Sequence, residues 1–437
     1  MTVATMPIAD FILRGDDRIT AGELDVTTPT EVFSSLRGHF GLHLQSARGD
    51  EHLLARDALG VNKLFFAISG GQVDVSNYFI DLRRRGHRPG RIWSVPSGHI
   101  ARISTSHRTL ALEKYSRLAF TETEPVGAVD LAEHATRIRA RLESTFRALA
   151  KGVAGRPLYV TMSGGLDSTG VAVLARDIIG DFVGVTFRVE GAPDDARDDL
   201  HYARTAAAAL GVRLEVVHVP REGLLSVIDP VLLYGQDYRD FNVHCGLVNA
   251  ALGVAMQARF GAAWKERPVV LTGDTMNELM ADYSPVAYGA REYYGLPRVP
   301  VAHMRRFLVS GLDSGDREVG IFAQHGIDTI QPYALCADAY CELPGSVLAE
   351  PTVKQRLACE IFGDRIPRSI YQRPKVRAQV GSSDEVGGTL AALVDQGIDA
   401  AELERRFSVL YGLEAAELKA WIRGGYYRFT SAYPVED

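Results

Sequence analysis

Cysteine is scarce in this sequence: four among 437 residues, at Cys245, Cys336, Cys341 and Cys359. They show neither zinc-type pair spacing nor neighbouring histidine pairs, which argues against a thiolate metal site and predicts reduced thiols in a cytoplasmic protein. Long apolar runs are missing too. The stretch "LVNAALGVAM" is about half the length needed to cross a bilayer, and no basic segment followed by an apolar core opens the chain, so neither membrane span nor leader is expected. Positive charge is not in excess: the net charge of −6 gives no cationic field of the kind that collects nucleic acid or anionic membrane. Small molecules are therefore the expected partners, and a homo-oligomer stays open. The one compact basic run, Arg83, Arg84, Arg85, His87, Arg88 and Arg91, reads as a solvated loop.

What is present is an ordinary globular composition, 46% hydrophobic and 23% charged, at a length that predicts two domains. Residues 1–120 alternate short strand-like runs ("HFGLHLQSA", "EHLLARDA", "KLFFAISGGQVDVS", "HIARISTS") with turn residues and predict a mostly β domain. "TETEPVGAVD", residues 121–130, is the expected linker. Over 130–437 the rhythm changes to helix 131–151, strand "PLYVTM", a helix from 168, strand "FVGVTF", helix "DLHYARTAAAALG" and strand "RLEVVHV". A helix over 245–259 and the strand "PVVLTG" come next. Strands separated by helices predict βαβ units and a parallel sheet, with ligands beyond the carboxyl ends of the strands. Residues 300–437 read as mostly helical and irregular.

"TMSGGLDST", residues 161–169, falls where that rule puts a ligand. Gly164 and Gly165 remove side chains that would keep a phosphate from the backbone, and the amides opening the next helix point at an anion. Ser163, Ser168 and Thr169 add hydroxyls. Asp167 would repel a bare phosphate and is read as a ligand of an accompanying Mg2+. The lysine of the P-loop is absent, so a kinase or motor-type element is not expected.

"SGGLDS" resembles the pyrophosphate loop of the N-type ATP pyrophosphatases, which cut ATP between the α and β phosphates and transfer AMP. Further blocks narrow the resemblance. "RDALGVNKLFFA" with "IWSVPSGHIARI" is similar to the glutaminase domain of the asparagine synthetases. "GVTFRVEG" with "DDLHYARTAAAALGV" is similar to their adenine-binding strand and the segment after it. "LTGDTMNELMADY" takes the position of their G-E-G-x-D-E loop, and "IPRSIYQRPKVRAQVGS" that of their C-terminal stretch. The resemblance implies an α/β chain: a mostly β, Ntn-like domain over 1–120, then an ATP pyrophosphatase (adenine nucleotide α-hydrolase-like) domain over 130–437 with a helical end. It also implies ATP as co-substrate, pyrophosphate contacts from Ser163 to Ser168 (Leu166 included) and from Gly273, and adenine beside Thr186 and Phe187.

The departures are as informative. Glutamine-hydrolysing members use an N-terminal cysteine, and position 2 here is Thr2, so no glutaminase activity is expected. β-Lactam synthetases resemble this chain in that respect, and "RPKVRAQVGS" resembles their R-P-K-x-G-x-x-x-G-S segment, which places Lys375 on the catalytic lysine. Where those enzymes have a tyrosine, and asparagine synthetases a glutamate, this chain has Asp274. The metal-binding aspartate falls on Asn277, a weaker Mg2+ ligand. Were 275–283 helical, Asp274, Glu278 and Asp282 would share a face, with Asp274 as general base and Glu278 beside it. Tyr283, Tyr288, Tyr293 and Tyr294 are read as pocket lining or packing. The expectation is an amide-forming synthetase that adenylates a carboxylate. Specialised or antibiotic biosynthesis is the expected setting, whether the product is a lactam, an intermolecular amide or a macrocycle. Ammonia-dependent asparagine synthesis and a silent nucleotide binder are the alternatives.

Overall fold

In the computed structural model the described residues are 2–3, 6–116, 118–121, 129–190, 199–282, 286–288, 291–293, 299–312, 317–373 and 389–422. The first part is antiparallel. Strands Thr2–Val3, Gly41–Gln45, Glu51–Arg56, His99–Ser104 and Thr109–Lys114 form one sheet in that spatial order. Side chains alternate across a strand, yet both faces here are covered. Leu54, Ala101 and Ile103 pack against Phe66, Ile68 and Trp93 of a second small sheet, while Leu53, Ala55 and Ile100 pack against Ile12, Phe33 and Phe40. That double burial is why "EHLLAR" carries apolar residues at successive positions instead of alternating.

The second part is a parallel sheet in the order Arg213–Val219, Val183–Val189, Leu158–Thr161, Val269–Leu271, Asp328–Ile330. Numbered by sequence that is 3-2-1-4-5, so the direction of winding reverses between Leu158–Thr161 and Val269–Leu271. A crevice opens at such a reversal, beyond the carboxyl ends of the two strands. The fifth strand lies in the stretch expected to be helical and irregular; three residues are too few to show a period. Helix Leu131–Gly152 is capped by Asp130, whose carboxylate accepts from the amides of Ala132 and Glu133. It buries Leu131, Ala135, Ile138, Leu142, Phe146 and Leu149, a three-and-four spacing that makes one apolar face. Helix Asp240–Phe260 starts ahead of the expected 245, and Val243 in its first turn is already buried in the main core.

The basic run begins as helix, Phe79–Arg84, and Arg84, Arg85 and Arg88 are exposed, as a solvated run would be. Arg83 donates to the Tyr411 carbonyl at 3.2 Å, Arg84 to the Tyr234 hydroxyl at 3.2 Å, and Arg85 and His87 pair with Asp74. Arg83 thereby ties the antiparallel part to helix Ala400–Tyr411. All four cysteines are free thiols. Burial pushes the Cys336 thiol up to about 12. No helix among the described residues is long and apolar enough to cross a membrane.

Candidate active site

The crevice is walled by two loops that interlock. Gly164 has φ +68°, and a Cβ there would stand 2.4 Å from the backbone of Tyr202 and Ala203, so only glycine lets the turn lie against helix Asp199–Leu210. Gly165 caps helix Leu166–Leu174. Its amide donates to Ser163 Oγ at 3.2 Å, and its carbonyl accepts from Thr169 Oγ1 at 2.8 Å and from Ser168 Oγ at 3.2 Å. Leu166 anchors the helix start by packing on the core. From the facing loop, Gly273 approaches so closely that a Cβ would stand 2.7 Å from the Ser168 amide nitrogen. Gly273→Ala should therefore drive the two loops apart at a cost of about 1–3 kcal/mol. ATP affinity measured by titration calorimetry should fall about tenfold or more, whereas Gly22→Ala, where an added Cβ meets only ordinary contact, should leave it unchanged.

Asp167 sits in the first turn of the helix, 20% exposed at its side chain. Its Oδ2 accepts from Lys354 Nζ at 2.7 Å; its Oδ1 is buried and has no hydrogen-bond partner among the described residues. Lys354, from helix Val353–Phe362, also donates to Asn277 Oδ1 at 2.7 Å and lies 3.2 Å from Asp282. Burial alone would lower the ammonium's pKa, but Asp167 and Asp282 outweigh it and hold the group raised, hence charged. Sequence reasoning passed over this lysine. The clue was available: position 354 falls with Leu357, Ala358 and Ile361 on the apolar stripe of its helix, an expensive place for an unpaired cation. Among the described residues no three His, Cys, Asp or Glu side chains are grouped to hold a metal. The unspent oxygen of Asp167 suits a hard cation that takes most of its ligands from phosphate and water, as Mg2+ does. Asn277 spends its oxygen on Lys354, so the stronger second oxygen donor nearby is Asp282.

The acids of the second loop do not share one face. The helix there covers only Met276–Leu279, too short for the expected four-residue recurrence to reach Asp282. Asp274 pairs with Arg317 at 2.5 Å and Glu278 lies 3.9 Å from the same guanidinium, whereas Asp282 turns to Lys354. Two left-handed residues bound this short helix: Ala281, φ +48°, turns the chain between Glu278 and Asp282, and Thr275, which stands where the resembled loop has glycine, adopts φ +76° ahead of it, a conformation a β-branched residue rarely takes. Its hydroxyl donates to Gln331 Oε1 at 3.0 Å and its carbonyl accepts from the Leu279 amide.

Glu318 completes this corner, and no motif or spacing in the chain singles it out. Its Oε2 accepts from Thr272 Oγ1 at 2.6 Å and from Gln331 Nε2 at 2.9 Å. Burial, then the nearby Asp274, push its carboxyl up to about 8 against the pull of Arg317. The folded protein thus holds a proton that the unfolded chain releases near 4.5. This contribution to stability is complete below about 4.5 and is lost as pH rises towards about 8. Asp10, raised to about 7 by burial, adds a loss of the same sign. In Glu318→Gln, thermal melts across that range should show a shallower decline with pH than wild type.

On the other side of the first loop, Arg373 donates to the Ser163 carbonyl at 3.0 Å, pairs with Asp199, and stacks 4.4 Å above the Tyr202 ring. Thr186 and Phe187 are buried in strand Val183–Val189, and Phe187 belongs to the main core. Lys375 and Tyr283 and Tyr294 lie outside the described residues, as do the side chains of Tyr288 and Tyr293. An open groove of about 990 Å3, with Ala281, Val301, Arg305, Val309 and Leu348 in its lining, starts beside the second loop.

Residues 137–311 match the family model for asparagine synthase, a family of ATP-using, amide-forming synthetases. The chain is 25% identical over 283 residues to an amidase, chyE, of Penicillium rubens; the alignment takes 57% of this chain and 40% of that protein, so the chain spans less than half of the curated relative it matches. Among solved structures, the NMN synthetase from Francisella tularensis aligns with 69% of this chain and 98% of its own at 11% identity and a TM-score of 0.31. The NH3-dependent NAD synthetase from Campylobacter jejuni aligns with 66% and 92% at 12% identity and a TM-score of 0.29. Superpositions this loose carry no argument about substrate or mechanism.

Proposed function

With an asparagine synthase-family domain over residues 137–311 as the premise, we propose that the chain adenylates a carboxylate at the α phosphate of ATP and passes the acyl group to an amine. The carboxylate oxygen attacks the α phosphorus and pyrophosphate leaves. The amine nitrogen then attacks the acyl carbon, the bond from that carbon to the AMP oxygen breaks, and one proton must be taken from nitrogen. The amine is assigned to the acceptor substrate or to free ammonia. Lactam, open amide and macrocycle remain equal products of this chemistry, and the groove beside Ala281 is where the organic part of the substrates would lie.

The observation that carries the reading is Asp167 Oδ1, a buried, unbonded carboxylate oxygen at the mouth of a glycine loop with the Lys354 ammonium beside it. In this reading the amides after Gly164 and Gly165 and the hydroxyls of Ser163 and Ser168 hold the departing pyrophosphate, and Lys354 neutralises it. Asp167, with Asp282 in place of Asn277, would hold Mg2+, which supplies charge neutralisation along the phosphates. Thr186 and Phe187 bound the adenine side. Lys375 is assigned to the acyl-transfer oxyanion. The proton acceptor is the pair Asp274 and Glu318 acting together, with Arg317 paired to Asp274.

Asn277, in place of an aspartate, favours one second reading, a silent nucleotide binder. Labelled pyrophosphate offered with ATP, Mg2+ and a panel of amino and carboxylic acids separates the two. Exchange into ATP that depends on one acid is the expected result; hydrolysis to ADP and orthophosphate, or no exchange with any acid while ATP binds, would overturn the adenylating reading.

A further inference from the structure

The antiparallel part reaches into the synthetase crevice at five points, all converging on the two ends of one segment and on Gln331. The Leu312 amide donates to the Leu59 carbonyl at 2.7 Å, and Lys63, fully buried, donates to the Leu312 carbonyl at 2.6 Å. Ser97 Oγ donates to the Ser310 carbonyl at 3.1 Å, and a Cβ on Gly311 would stand 2.8 Å from Ser97 Oγ. Tyr78 donates its hydroxyl to the Gly320 carbonyl at 2.6 Å. The Gln331 amide faces His39 Nε2 at 3.4 Å. Leu59 and Lys63 belong to "RDALGVNKLFFA" and Ser97 to "IWSVPSGHIARI", the two blocks that resemble a glutaminase domain.

We propose that the antiparallel part of this chain is a positioning scaffold for the acyl-transfer half of the site. Lys63, Leu59 and Ser97 fix residues 310–312, Tyr78 fixes Gly320, and His39 fixes Gln331, so that Arg317 and Glu318 stay against Asp274. This rests on the reading of Asp274 and Glu318 as the proton-accepting pair. The physical case is one of reach. Among the described residues Glu318 Oε2 is held by Thr272 and Gln331, and Gln331 spends its amide N–H, its Nε2 and its Oε1 on His39, Glu318 and Thr275. A shift of about 1 Å in such a constellation is enough to degrade transfer chemistry. The charged and titratable groups facing Glu318 are Asp274 and Arg317, with Glu278 behind the guanidinium and His39 behind Gln331; burial keeps His39 lowered to about 4, so it stays neutral. On this account the glutaminase-like blocks serve to brace the synthetase site.

The test needs no substrate. Infrared spectra of the full-length protein, taken through a pH titration and referenced to Glu318→Gln, isolate the carboxyl band of Glu318. In wild type it should disappear near 8. In Lys63→Met and in Tyr78→Phe, which removes a single hydroxyl, a loosened segment admits water. The band should then titrate about one pH unit lower or more, a tenfold change in proton affinity. Amide exchange over 319–322 should quicken in the same variants, while Arg85→Ala, on the same part of the chain but outside the brace, changes neither. If wild type titrates near 8 and both variants match it, even with lowered melting temperatures, the scaffold is overturned and the proton-pair reading stands. If the wild-type band titrates in the ordinary carboxylate range, the pair itself is refuted. Should Lys63→Met fail to fold, Tyr78→Phe decides alone.

Discussion

Replacing Lys354 by Met should abolish ATP–pyrophosphate exchange. Among the described residues the ammonium donates to Asp167 and Asn277 and lies 3.2 Å from Asp282, and losing a group that neutralises a charged leaving group in a closed site costs about 10²–10³ in rate. The same change takes the ammonium from the Asp167 carboxylate, a penalty of roughly 3–5 kcal/mol, so the melting temperature should fall by about 3–5 °C in a chain of this length. Folding and chemistry can be told apart by adding Asp282→Asn to Lys354→Met and comparing the result with Asp282→Asn alone, which carries the loss of the proposed Mg2+ ligand. The double variant should regain part of the lost melting temperature, since fewer carboxylates face the missing ammonium, and still show far less exchange than Asp282→Asn. Exchange within about threefold of Asp282→Asn in the folded double variant, a loss well short of that expected from removing such a group, would remove Lys354 from pyrophosphate handling.

Glu318→Gln should leave exchange intact and strike the second half of the reaction. The amide oxygen can still accept from Thr272 and Gln331, but the group cannot hold or release a proton at that position. Amide formation by the acid and amine that support turnover should fall by about 10²–10⁴, the usual contribution of a positioned base. In wild type, transfer should rise with pH towards about 8 as Glu318 gives up its proton, and this limb should vanish in the variant. Equal losses in exchange and transfer would mean that Glu318 serves the whole crevice and not the proton.

The first loop was legible because its chemistry is local: two glycines, an acid and hydroxyls within nine consecutive positions, after an apolar strand. The succession of strands and helices along the chain, and hence a parallel sheet, was legible for the same reason, since each βαβ unit announces its own period; the spatial order of the strands was not. The corner formed by Asp274, Arg317 and Glu318 was not. Its members are brought together by pairing of Asp328–Ile330 with Val269–Leu271, a three-residue strand without a readable period. The face expected for Asp274, Glu278 and Asp282 failed on two left-handed residues, Thr275 and Ala281, in a conformation that propensity rules place on glycine. Lys354 was legible in principle, as a charge on an apolar stripe, and needed only the question of what it neutralises.

The main core draws on both halves of the sequence: Leu13, Leu59, Phe65, Tyr78 and Phe79 lie in the same packed cluster as Ile138, Val160, Leu247 and Phe407. Calorimetry should accordingly record one cooperative transition rather than two, and trimming the first 120 positions would bare oily surface instead of liberating a minimal catalyst. Any attempt to graft, swap or shorten this molecule has to treat its opening third as ballast that cannot be thrown overboard.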